Sequence, residues 1–111
     1  MEKKKAFGQF GDWYAVVEGE RLPCVHDVWK SGNRYRDLEM PNKKKSKVFA
    51  SDIARIGKVI LTKGTPITNS SGSGMIIPRS GYVAIWAIIN VELKGNILNF
   101  DFVKQICELE N

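Results

Sequence analysis

The chain has 111 residues, 43% hydrophobic and 26% charged, which suits one globular domain large enough to bury a core without disulfides or metal. Its formal net charge is +5, but seven of the 17 cations sit in two runs, Lys3–Lys5 and Lys43–Lys47. The other ten face 12 acids, so the body is slightly acidic and a uniformly basic binding face is excluded.

Residues 1–11 open with Met-Glu-Lys-Lys-Lys and continue as Ala-Phe-Gly-Gln-Phe-Gly, which lacks the apolar stretch of a signal peptide. A partly mobile basic arm is expected here, with the compact domain over 12–111 and a cytoplasmic location. Cys24 and Cys107 are the only cysteines; in that compartment they read as two buried thiols.

Trp-Tyr-Ala-Val-Val predicts a strand over 12–18, with Gly19 and Glu20 as a hairpin turn and a returning strand over 21–29. Pro23 has no amide donor, which favours an edge position or a bulge. Lys30–Asn33 is a second turn, and Arg34–Leu38 a short strand. Met40–Lys47 reads as a lysine-rich surface loop. Ser51 as N-cap and Gly57 as stop predict a short helix between them.

Lys58–Lys63 is a strand, and 64–80 a long loop containing the small apolar group Met75, Ile76 and Ile77. The longest apolar run, 81–93, is dense in β-branched and aromatic residues and reads as the central, buried strand. Its charged borders at Arg79 and Glu92 leave it short of the roughly 20 apolar residues that a membrane helix needs. Lys94–Asn96 is a hairpin turn, followed by a strand over 97–102. Val103, Ile106, Cys107 and Glu110 recur at helical spacing, which predicts a short closing helix. The fold class is α+β and β-rich, a mostly antiparallel curved sheet or small open barrel with one or two short helices.

The single histidine, His26, shares a strand face with Cys24, but a strand spaces them about 7 Å apart, too far for a thiol–imidazole pair. Cys24, His26 and Cys107 would make a metal set only if the carboxy terminus packed beside the second strand. Ser70-Ser71-Gly72-Ser73-Gly74 lacks the Lys-Ser/Thr ending of a phosphate loop. No catalytic residue, metal or cofactor is therefore expected.

The stretch Trp29-Lys30-Ser31-Gly32-Asn33-Arg34-Tyr35-Arg36 interleaves aromatic rings with cations around a turn, and the lysine run follows it. Aromatic faces stack on unpaired bases while cations neutralise phosphates. The expected function is a non-enzymatic nucleic-acid-binding module for a single-stranded or RNA-like target. Trp29 and Tyr35 would stack; Lys30, Arg34, Arg36, Lys43, Lys44, Lys45 and Lys47 would contact phosphate. The alternative is a small inhibitor, antitoxin or immunity-type protein that blocks a partner's site, anchored through Met75, Ile76 and Ile77.

Overall fold

A computed structural model describes residues 3–8, 13–38, 40, 44–63, 67–68, 75–76 and 81–110. In chain order these form β1 (Lys4–Gly8), β2 (Tyr14–Val17), β3 (Glu20–His26), a 3-10 turn (Asp27–Trp29), β4 (Lys30–Ser31), β5 (Arg34–Asp37) and α1 (Lys44–Ile56). There follow β6 (Lys58–Thr62), β7 (Ile67–Thr68), β8 (Met75–Ile76), β9 (Tyr82–Lys94) and β10 (Ile97–Glu110). No helix among the described residues is long and apolar enough to cross a membrane.

Eight strands make one mostly antiparallel sheet in the order β1-β2-β3-β6-β9-β10-β5-β4. It curls until β1 meets β10 in parallel, at Lys4↔Leu109 and Lys5↔Glu110. Six strands thus form a partly closed ring, and β5 and β4 branch from the first half of β10. The run read as a central strand is β9, paired with β6 on one edge and β10 on the other. β3 and β6 are parallel, and a parallel pair needs a long crossover; here it carries β4, β5 and α1.

Strand alternation sorts the apolar residues into two cores. One takes residues from all six ring strands, among them Ala6, Val17, Leu22, Cys24, Ile60, Ile85, Cys107 and Leu109, and so fills the ring. The other lies outside the ring beneath α1. There Phe49, Ala50 and Ile53 cover Val25, Val59, Leu61 and Ile88, and the core extends to Tyr35, Leu98, Phe100 and Phe102. Burying each such aliphatic or aromatic side chain contributes roughly 1.5–3 kcal/mol.

Several expectations are corrected. Over Lys4–Gly8 the basic arm is a ring strand, because Ala6 is needed in the interior. The first hairpin turns at Glu18 and Gly19, which both adopt positive φ (50° and 81°), as a type I′ turn demands. Pro23 is in an inner strand, just before the first parallel pair, Cys24↔Ile60, and Cys24 N–H bonds Trp13 O instead.

The helix begins at Lys44, seven residues before the expected cap at Ser51, since Ser46, Phe49, Ala50 and Ile53 share one buried face. Gly57 does end it, at φ 73°, with its N–H on Ile53 O. The closing helix does not exist: 97–110 is one strand. Its ladder with β9 slips between Phe102 and Lys104 and again between Gln105 and Cys107. Each slip inserts one residue, so an alternating strand acquires the spacing of a helix.

The register row Cys24↔Ile60↔Ile85↔Cys107 puts the two free cysteines three strands apart in a six-strand ring, on opposite walls. At about 4.8 Å per strand the ring is at least about 9 Å across, beyond the roughly 7 Å that a disulfide spans between Cα atoms. Mild oxidation should leave the native monomer with two free thiols by mass spectrometry, and both should alkylate once denaturant is added. An intramolecular bridge formed without unfolding would contradict the ring.

Candidate nucleic-acid interface

Tyr35 is not a stacking surface. It is 1% exposed, lies 4.5 Å from Phe100 ring to ring, and its hydroxyl meets the Asp37 carboxylate and the His26 backbone. Burial first, and then Asp37, push that hydroxyl well above its ordinary value of 10.0. The aromatic turn is thus partly a core element. Sequence alone could not separate these cases, because a ring suited to a base is equally suited to a core.

β5 also divides the cations. Tyr35 and Asp37 point into the core beneath α1, so Arg34 and Arg36 point to the opposite face. Arg34 there lies 3.6 Å from Asp101. Lys30 is register partner to Tyr35 and stays on the helix side, with its Nζ 5.0 Å from the Trp86 ring centre and 5.1 Å from that of Phe102. Trp29 is half-buried against the same core. Lys43 and Ile77 lie outside the described residues; Met75 and Ile76 are in β8, paired with β7 as a separate hairpin.

Lys44, Lys45 and Lys47 occupy the first turn of α1, which has no acidic residue. That end of a helix is positive, so each lysine costs a few tenths of a kcal/mol to about 1 kcal/mol. Lys45 recovers a similar amount by standing 4.3 Å from the Trp13 ring centre. Trp13 in turn meets Phe49 edge to face at 5.0 Å, so one helix turn holds both the cation and the ring under it. Arg21 repeats the arrangement 3.7 Å above Tyr14. Trp13 and Arg21 are remote in sequence from the lysine run, so no local pattern joins them to it.

Carboxylates concentrate elsewhere. Lys3, Lys4, Lys58 and Lys94 pair with Glu108, Glu18, Glu20 and Glu92. Among the described residues no carboxylate forms an ion pair with Lys30, Arg36, Lys44, Lys45 or Lys47, while Arg21 acts on the Asp52 carboxylate, which the Tyr14 hydroxyl holds. All but Arg36 of these are beside α1 or on its side of the sheet. A groove of about 520 Å³ separates Lys47 and Ala50 of α1 from Leu93 and Gly95 at the β9–β10 turn.

His26 is 4% exposed, with Nδ1 3.3 Å from Thr62 Oγ1 and Nε2 buried without a partner. Burial lowers its pKa below the ordinary 6.5, against a smaller opposing pull from Asp27. Cys107 is across the ring from Cys24, so the three residues weighed as metal ligands do not converge. The chain matches no family model, no curated protein and no solved structure.

Two carboxyl and imidazole effects give a pH dependence. The Tyr14 hydroxyl and then the Arg55 guanidinium hold Asp52 below its ordinary 3.8, so its contribution is present above that pH and lost as pH falls through the folded value. His26 is disfavoured as a cation in the fold, so the unfolded chain gains its proton first and stability falls as pH drops below 6.5. Denaturation midpoints should decline between pH 7 and 5 in the parent chain. His26→Gln should flatten that decline; an unaltered slope would remove His26 as its source.

Proposed function

We propose that this is a non-enzymatic nucleic-acid-binding module for single-stranded, RNA-like targets, and that the helix side of the sheet carries the contact. The supporting observation is the first turn of α1, where Lys44, Lys45 and Lys47 stand at the positive helix end without carboxylate partners among the described residues. That arrangement costs the fold more than Lys45 recovers on Trp13, and it suits a phosphate, which meets ammonium groups at the positive helix end.

Lys30 and Arg21 extend the cationic track, and Trp29 and Trp13 are its aromatic members. A base takes the Trp13 face when Lys45 leaves it for a phosphate, an exchange of a cation–π contact for stacking. Arg34 and Arg36, on the far face, serve only a strand that wraps the edge at β4.

Fluorescence anisotropy with a labelled 12-nucleotide oligouridine, between 50 and 200 mM salt, tests the reading. Lys44→Glu with Lys45→Glu and Lys47→Glu should weaken binding at least tenfold at low salt. It should also reduce the logarithmic salt slope by about two, since each single-strand phosphate contact is worth roughly 0.7. Lys3→Glu, paired with Glu108 on the ring, should change little. Equal affinity of the triple variant and parent would end this reading. Salt-insensitive capture of a protein, lost with Met75→Asp and Ile77→Asp, would favour the inhibitor-type alternative.

A further inference from the structure

Alternation puts Ala6, Ala15, Val17 and Leu22 inside the ring, so Phe7, Val16 and Arg21 stand on its outer face. They form one row, because Phe7 is the register partner of Val16 and Val16 that of Arg21. Two strand spacings separate the ends of the row, about 10 Å. Phe7 is 64% exposed, the most of any large hydrophobic side chain among the described residues, and Val16 is 37% exposed. A ring left so far in water gains the fold little. The row runs on into the contacts beside α1. The Arg21 guanidinium lies 3.7 Å above the Tyr14 ring, and Tyr14 is two residues from Val16 on the same face of β2. Tyr14 and Trp13 both meet Phe49 edge to face, at 5.6 and 5.0 Å, and Lys45 stands 4.3 Å from the Trp13 ring centre. Rings and cations therefore alternate along one surface, from the first turn of α1 to β1.

We infer that Phe7 is a base-stacking residue at the β1 end of this surface, and that Arg21 holds a phosphate between it and Trp13. The inference rests on the nucleic-acid reading above and extends its contact from α1 across β3 and β2. A protruding ring offers a flat face, which suits a base of any kind, whereas a protein anchor fills a pocket. The charge that matches a phosphate comes from Arg21. The Asp52 carboxylate it acts on is shared with the Tyr14 hydroxyl and the Arg55 guanidinium, so Arg21 keeps charge for a ligand. Lys5 shares the outer face with Phe7 but stands in register with Glu110, so its charge is offset there.

The test is the oligouridine titration repeated with Phe7→Leu, Phe7→Trp and Arg21→Gln beside the parent and the triple lysine variant. Leucine and tryptophan both suit an exposed strand position, so denaturation midpoints should match the parent's. Phe7→Leu removes the aromatic face and should weaken binding of the 12-nucleotide probe about fivefold or more, which is what one stacked base is worth. Phe7→Trp should bind at least as tightly as the parent. Neither should alter the logarithmic salt slope, whereas Arg21→Gln should weaken binding and reduce that slope by about 0.7. Loss in the triple lysine variant with full affinity in Phe7→Leu would overturn this inference and leave the α1 reading standing. Equal losses in Phe7→Leu and Phe7→Trp would mark a structural effect and overturn it as well. A parent that does not bind the probe would end both. A dimer that dissociates on Phe7→Leu, with oligouridine binding unchanged, would put a second copy on this face instead.

Discussion

Five strands, β2, β3, β6, β9 and β10, wall two cores at once, and the rest of the molecule depends on their alternation. Cys24, Ile60, Ile85 and Cys107 face into the ring, while Val25, Val59, Ile88 and Phe102 face α1 or its neighbours. A one-residue slip in any of these strands would exchange the cores. Asn90, at φ 59°, and the two slips of β10 sit where the sheet passes from the ring to its β4–β5 extension. The irregular residues therefore let one pair of long strands serve two differently curved surfaces.

The ring also sorts charge. Around its mouth, lysines and glutamates from neighbouring strands neutralise one another at 2.9–3.8 Å. Beside α1 the cations rest on aromatic rings instead, Arg21 on Tyr14, Lys45 on Trp13 and Lys30 on Trp86 and Phe102. A cation over a ring keeps its full charge toward solvent, whereas an ion pair cancels it. The modest net charge thus becomes a directional one, and that asymmetry underlies the proposed choice of partner.

The candidate site was legible only in part. The lysine run, the Trp29–Arg36 turn and their shared half of the chain are local features and were visible as composition. Their sidedness was not. Tyr35 went to the core and Arg34 and Arg36 to the far face because β5 joined β10 in the register Tyr35↔Phe100. Trp13 came under Lys45 through the packing of α1 on β2, which no local pattern encodes.

Local chemistry by itself determined the β-rich class, the central strand at 82–94, the hairpins at Gly19 and Gly95 and the helix stop at Gly57. Each follows from β-branching, positive φ or a missing side chain at one place in the chain. Closure of the ring and the strand nature of 103–110 were decided only by tertiary pairing. Bulges shift the apolar spacing of β10 to that of a helix, and only the neighbouring strand β9 reveals which residues are the inserted ones.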